Sequence, residues 1–436
     1  MAHDSINGES ASARIVVLGG GTGGTLAANR LRRSLGASAR VTVVDQGDRH
    51  VYQPGLLFVP FGHRRAAELT RPRADQLRGG IEFVQSRVDR VDLPARMVHL
   101  ATHPPIGYDV LVIATGAVLV PDETEGLAAA LAAGKDVHTF YSLDGAQALA
   151  RRLDAFDGGH VIVNIVDLPI KCPVAPLEFC FLADSYFRHR GIRDRVRLTY
   201  ATPLDAAFTK PVAAKELAGL LQRKDIELVT DFSTGTVDGS RNTLTSFDGR
   251  ELRFDLAVVV PLHNGADFVT DSAGLGDELG FVTVDPHTLQ STVDERVFAI
   301  GDAAALPASK AGSVAHFEGE VLVENIRRLL AGEPLTARFD GHTNCFVETG
   351  AGKALLIDFN YDTEPQPGRY PNSVGMPLLR EARLNHLGKL LFQPLYWHVL
   401  LPGHDLPGLG SAMPVRGKRN SSPRAASSIG AGNTKG

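Results

Sequence analysis

The strongest constraint in this sequence is a cluster of glycines set directly behind a short apolar strand. The run Val16-Val17-Leu18-Gly19-Gly20-Gly21-Thr22-Gly23-Gly24 contains G-x-G-x-x-G at Gly19, Gly21 and Gly24. It leads into TLAANRLRRSLG, whose apolar spacing is that of a helix. The glycines permit a tight turn, let the backbone approach a pyrophosphate and allow the helix to pack closely on its strand. The helix N-terminus then offers unpaired amides and a partial positive charge to that pyrophosphate. Asp45 closes the next strand-like run, where an acidic side chain binds ribose hydroxyls. Glycine turn, strand, helix and acid in register predict a dinucleotide-binding unit.

The same alternation continues along the chain. Val/Ile/Leu-rich runs at 13–20, 39–46, 109–116, 160–167, 195–201, 256–262 and 296–302 suit strands buried on both faces, hence parallel sheets covered by helices. With 436 residues the chain exceeds one ordinary domain. The expected class is α/β, with two Rossmann-like three-layer units, the second inserted in the first. Residues 13–150 and 291–335 form the first unit, 151–290 the second, 336–416 a C-terminal region, and 417–436 a disordered Ser/Gly-rich tail. Residues 1–12, small and polar, are also expected to be disordered. The formal charge is -4, so no basic field points to nucleic acid. No run of 18 apolar residues predicts a transmembrane helix, and the N-terminus lacks the apolar core of a secretory signal. Three cysteines, Cys172, Cys180 and Cys345, cannot make a disulfide framework; they read as buried or catalytic thiols in a reducing compartment. No metal-ligating cluster is assigned.

Two further strand ends carry motifs, Ala114-Thr115-Gly116 and Gly301-Asp302, the latter followed by a helix-like stretch. With the first glycine loop, they resemble the chain-crossing and second flavin-contact segments of the two-dinucleotide-domain flavoproteins, the disulfide reductase-like oxidoreductases. The resemblance implies FAD, with Gly19, Gly21, Gly24, Asp45, Thr115, Gly116, Gly301 and Asp302 as its contacts. Asp302 falls on the ribityl side.

The second unit lacks a matching glycine loop. Its first strand runs into Asp167-Leu168-Pro169-Ile170-Lys171-Cys172-Pro173, a turn with two prolines, an aspartate and no glycine. Bulky side chains block backbone approach to a phosphate and the carboxylate repels it, so a donor other than NAD(P)H is expected. Cys172 sits at a strand-to-helix junction, where Lys171 and the helix N-terminus are expected to favour its thiolate. Lys171-Cys172-Pro173-Val174-Ala175-Pro176-Leu177-Glu178 closely resembles the K-C-x-x-A-P-x-E segment of sulfide:quinone oxidoreductases.

That resemblance covers roughly 13–405 and implies a second redox cysteine at Cys345, in HTNCFVETG. It implies that sulfide is oxidised to sulfur or polysulfide at a Cys172–Cys345 pair, with two electrons reaching quinone through FAD. Lys310 is carried over as a positive charge beside the flavin ring. Glu178 is a proton-transfer candidate from the same motif and His316 a weaker one. Phe346 and Phe392 are the expected quinone contacts. Cys180, among apolar neighbours, reads as core. Many family members carry another cysteine between the A-T-G and K-C-P segments; none occurs here between Thr115 and Lys171, so non-covalent FAD is expected.

Residues 386–403 hold the only Trp among Phe, Tyr and leucines, a composition suited to a bilayer interface. The resulting expectation is a peripheral protein on the cytoplasmic face of the cell membrane. Its partners are sulfide, a membrane quinone and the membrane surface, with a homo-oligomer as a further option. Three alternatives stand beside it: the flavin subunit of a flavocytochrome c sulfide dehydrogenase, a type II NADH:quinone oxidoreductase, and a non-enzymatic flavin-binding module.

Overall fold

The computed structural model describes residues 12–405 and 410–419. The strands of the two parallel sheets and of a C-terminal hairpin are numbered here in chain order, with the helices that bear on the site. β1 (Ala13–Leu18) turns through the glycines into α1 (Thr22–Leu35), followed by β2 (Ala39–Asp45), β3 (Ile81–Gln85) and β4 (Val110–Ile113). The chain then enters a second unit. β5 (Val137–His138) and β6 (Gly159–Ile165) precede α2 (Ala175–His189), and β7 (Val196–Ala201), β8 (Ile226–Val229) and β9 (Leu256–Val260) follow. It returns with β10 (Val297–Ala299) and α3 (Gly312–Leu330). The sheet orders are β10-β4-β1-β2-β3 and β5-β9-β6-β7-β8, parallel throughout.

Strand periodicity explains the layers. Ile15 and Val17 of β1 face one core with Ala27, Leu31, Phe317 and Leu322 of α1 and α3. Val16 and Leu18 face the other side, against Val91 and Val98 of a three-stranded antiparallel sheet spanning 88–107. The second unit repeats the plan. Val161 and Val163 pack on α2 and its neighbouring helices, while Ile162 packs on Val237 and Leu244 of another three-stranded sheet within 234–253. Helices were expected on both faces; on the second face of each sheet a small antiparallel sheet packs together with a short helix, Asp267–Thr270 in the first unit and Leu127–Ala133 in the second. The second sheet also takes its edge strand from Val137–His138, before residue 151. At the far boundary, Phe268, Leu275 and Val282 pack into the first unit's core.

The C-terminal region adds an antiparallel hairpin, β11 (Thr343–Gly350) with β12 (Lys353–Phe359), and α4 (Arg383–Leu395), which runs into a π-helical turn at Tyr396–Leu400. Val347, Ile357, Tyr396 and Trp397 join the core of the second unit. The segment after α4 then crosses α1: Asn29 Nδ2 donates to the Leu401 carbonyl at 2.8 Å and Arg33 to that of Gly403 at 3.0 Å.

Two expectations for the chain end are corrected. Trp397 is 4% exposed, edge-on to Tyr396 and under the Arg71 guanidinium at 4.3 Å, so it is a core residue and no interface anchor. The exposed apolar residues of α4 are Leu384, Leu387 and Leu391, at 49%, 49% and 55%, which share one helical face. Chain order from 417 is also not simply lost. Lys418 bridges to Gly368 and sets its ammonium 2.5 Å from the buried Asp358 carboxylate. The expectations for 1–11 and 420–436 lie outside the described residues.

The glycine turn is steric. A Cβ on Gly24 would stand 1.7 Å from the Gly19 carbonyl oxygen, and one on Gly19, at φ +93°, would stand 2.5 Å from that of Ala114. Both obstacles are main chain. Gly24→Ala is therefore expected to destabilise the protein by about 1–3 kcal/mol through overpacking, read as a lowered urea midpoint at unchanged m.

Candidate functional site

A cavity lies where the two units and the C-terminal region meet. Its wall combines Gly21 and Thr22 of the first loop, Thr115 and Gly116 after β4, Lys171 and Cys172 before α2, and Asp302 and Lys310 between β10 and α3. One portion is apolar, with Pro54, Leu56, Leu57 and Phe392.

The space suits a dinucleotide by two observations. A Cβ added at Gly21, Gly116 or Gly312, all on the wall, would meet nothing within 4 Å, so three backbone segments leave room for a close-lying group. The helices α1 and α3 both begin at this wall without a side-chain cap, leaving their first amides for an anion. The buried Thr115 hydroxyl also lacks a partner.

Behind the loop, Asp45 accepts hydrogen bonds from the amides of Gly20 at 2.7 Å and Gly47 at 2.8 Å, and pairs with Arg73 at 3.3 Å. Arg73 also donates to the Gly20 carbonyl. The carboxylate expected to meet a ribose is thus occupied in shaping the loop. The loop is roofed by the C-terminal turn. Burial and the charge of Arg73 lower His50 to about 4, so its ring is neutral. With Nδ1 donating to the Gly20 carbonyl at 3.1 Å, Nε2 accepts from the Tyr396 hydroxyl at 2.6 Å, which in turn accepts from Thr22 at 2.8 Å.

Cys172 occupies the turn before α2 with φ +49°, a left-handed conformation rare for a residue with a side chain. It is fixed by its own amide donating to the Lys310 carbonyl at 2.6 Å and its carbonyl accepting from the Tyr141 hydroxyl at 3.2 Å. The thiolate expectation is corrected. Burial, then the negative field of Glu178, push the Cys172 thiol up to about 12, and the cation that opposes them is Lys389. Cys345 lies on β11, packs against the same core and feels the charge of Cys172; burial, foremost, holds its thiol well above the ordinary range. Cys172 lines the cavity and Cys345 does not. Cys180 is fully buried on α2.

The Lys389 role was not legible in sequence. Its ammonium, on α4, donates to Glu178 Oε1 and to the Phe346 carbonyl at 3.0 Å. Glu178 also accepts the Glu348 amide at 2.7 Å. Phe346 is absent from the wall; its ring lies under Gly388, and its carbonyl holds Lys389. Lys310 lines the wall, donating to the Asp302 and Ala304 carbonyls at 2.8 and 3.1 Å with its ammonium 3.9 Å from the Phe281 ring centre. Glu318, also unforeseen, accepts the Gly301 amide and is pushed up to about 7 by burial. His316 is buried against Arg30, outside the wall, and burial lowers it to about 3.

The second loop offers no matching anion site: Pro176 stands in the first turn of α2 and Glu178 places a carboxylate there.

The pyridine nucleotide-disulphide oxidoreductase family pattern matches residues 13–164. The chain is 26% identical over 397 residues to a mitochondrial sulfide:quinone oxidoreductase of Mus musculus, covering 89% of this chain and 86% of that protein. It is 28% identical over 418 residues to the mitochondrial sulfide:quinone oxidoreductase of Schizosaccharomyces pombe, covering 88% and 89%. The solved sulfide:quinone oxidoreductase of Aquifex aeolicus superposes with a TM-score of 0.76 at 19% identity, over 91% of this chain and 93% of that one.

A raised thiol is measurable. In the reduced protein, Cys172 is expected to react with iodoacetamide at pH 8 on the order of a thousandfold more slowly than a free cysteine, because its thiolate fraction falls about tenfold per pH unit of upward shift. Labelling at the free-cysteine rate, followed by peptide mass spectrometry, would contradict that burial.

Proposed function

We propose that this chain is a flavin-dependent enzyme that oxidises sulfide and reduces quinone, with Cys172 and Cys345 as its redox pair. The observation that carries the reading is one cavity joining the open glycine loop, Cys172 and an apolar, aromatic end. The likeness to sulfide:quinone oxidoreductases along 89% of the chain supports the same assignment.

FAD, when bound, supplies the two-electron carrier between thiols and quinone. The loop of Gly19, Gly21 and Gly24 would hold its pyrophosphate, with Thr115, Gly116, Gly301 and Asp302 along its length. Asp45 would act from behind the loop. No cysteine occurs between Thr115 and Lys171, which favours non-covalent attachment. Sulfide opens a Cys172–Cys345 bridge, leaving a persulfide on one sulfur and a thiolate on the other. Lys389 is the cation that stabilises negative charge on Cys172. Lys310 places a second ammonium on the wall, where it favours negative charge on the bound ring. Phe392 and the apolar wall would hold the quinone ring, and Glu178 with Lys389 would hold protons for it.

No described helix is long and apolar enough to cross a membrane. The exposed leucine face of α4 is the surface we assign to lipid, beside the Phe392 end. Peripheral attachment is the arrangement this favours, with the cytoplasmic face kept as the expectation from sequence.

The donor decides the class. Anaerobic sulfide is expected to bleach the flavin orders of magnitude faster than NADH, because the turn before α2 lacks the glycines a second dinucleotide needs and its first helical turn carries Pro176 and the Glu178 carboxylate. Rapid bleaching by NADH would move the assignment to NADH:quinone chemistry. Acid precipitation of the same sample should leave the flavin in the supernatant.

The thiols provide a second check. Cys172→Ser and Cys345→Ser are each expected to retain FAD and to lose sulfide-dependent quinone reduction by roughly three or more orders of magnitude. The double variant should match either single one, since residues acting as a unit are not additive. Cys180→Ser should cost little beyond packing. Turnover that survives Cys345→Ser but not Cys180→Ser would reassign the pair.

A further inference from the structure

Reducing a quinone to a quinol consumes two protons, and the carboxylate and ammonium at the cavity are both cut off from solvent. Glu178 is 1% exposed and Lys389 13%, and a quinone in the cavity would cover the side of each that lines it. A second acid–base pair stands on the outer side of Lys389. Glu348, on β11, is buried to 1%, and its carboxylate receives His386 Nδ1 at 2.9 and 3.0 Å. His386, on α4, is 29% exposed and lies one helical turn before Lys389, on the same face. The Lys389 ammonium sits in the fields of both Glu178 and Glu348. Burial and then Lys389 act on Glu348 in opposite senses, burial prevailing, so this carboxyl takes up a proton more readily than an exposed one.

We infer that His386 and Glu348 form a proton inlet that recharges Lys389 from solvent while quinone is reduced. The inference rests on the quinone-reducing reading above. The balance is simple. Lys389 gives a proton to a quinone oxygen and becomes a neutral amine. Glu348, protonated by the His386 imidazolium, restores it, and His386 takes the next proton from water. Two such cycles match the two electrons arriving from the sulfide side. Lys389 pairs with Glu178 and Glu348 with His386, so a rotation of the flexible lysine stem or a bridging water would carry the proton between Lys389 and Glu348.

The groups around His386 fit a surface inlet. His63 and Arg64 approach from the loop after Phe58, with Arg64 bonded to Gln393 of α4 at 2.9 Å, and Glu348 faces it from β11. His189, at the end of α2, lies near His63. Glu348 is the only acceptor bonded to the His386 ring among the described residues.

The same pair could instead merely tie α4 to β11, and the test separates these roles. Stopped-flow traces of the FAD-loaded full chain resolve flavin bleaching by sulfide from reoxidation by a short-chain benzoquinone. His386→Ala is expected to leave bleaching unchanged and to slow reoxidation by about tenfold or more, as loss of a general acid–base station does. Added imidazole should restore most of the reoxidation rate, because a diffusible base can replace a missing ring but not a missing tie. Glu348→Gln, which keeps shape and the His386 contact, should be equally slow and not rescued. His189→Ala is the surface control and should behave like the unaltered protein. Unchanged reoxidation in His386→Ala, or slowing that imidazole does not relieve, would overturn the inlet. Failure of sulfide to bleach the unaltered protein would instead overturn the functional reading itself.

Discussion

The buried contact between Glu178 and Lys389 is the point on which the arrangement of the site depends. Glu178 belongs to the first turn of α2, directly after Cys172; Lys389 belongs to α4; and the amide that completes Glu178 comes from β11, which carries Cys345. Three remote segments therefore meet at one carboxylate. Breaking a buried ion pair by removing one partner costs about 3–5 kcal/mol, since the other charge is left without compensation. Here that penalty also carries position. The tie links the two thiol-bearing elements and sets a positive charge that acts on Cys172.

The two units share one scaffold and differ in what fills a single loop. Both have a five-stranded parallel sheet with helices on one face and a small antiparallel sheet with a short helix on the other. In the first unit the strand-to-helix turn is open because glycines leave it empty. In the second, Cys172, two prolines and the Glu178 carboxylate fill the corresponding place. A position built for holding an anion by backbone amides has become one that presents a side chain. The positive φ of Cys172 is the local mark of that change: the turn keeps a backbone shape that glycine would favour, but carries a sulfur.

Signals that are local in the chain were legible. The glycine turn, the apolar strands and the Cys172 segment each declare themselves within ten residues, and β1, β2, β6, β7 and β9 fall within a few residues of the expected runs. Signals that depend on meeting a distant partner were not. Nothing near Lys389 announces Glu178, and nothing near Asp45 announces that Arg73 would claim its carboxylate. The thiol acidity was misjudged for the same reason, because the sequence places Lys171 beside Cys172 while burial and Glu178 govern it in space. Trp397 misled through composition: an amphipathic-looking stretch contains a residue that closes the core, and the true exposed stripe is leucine.

The hydroxyl of Tyr396 gives the C-terminal turn an unexpected hold on the other end of the molecule. It bridges Thr22, at the first residue of α1, and His50, which itself holds the glycine loop. Asn29 and Arg33 extend that grip along α1. The last helical turn is thus tied to the loop and helix that would hold a pyrophosphate. Loss of the chain from Tyr396 onward would therefore unpin the first turn of α1 and the glycine loop together, although both lie at the opposite end of the sequence.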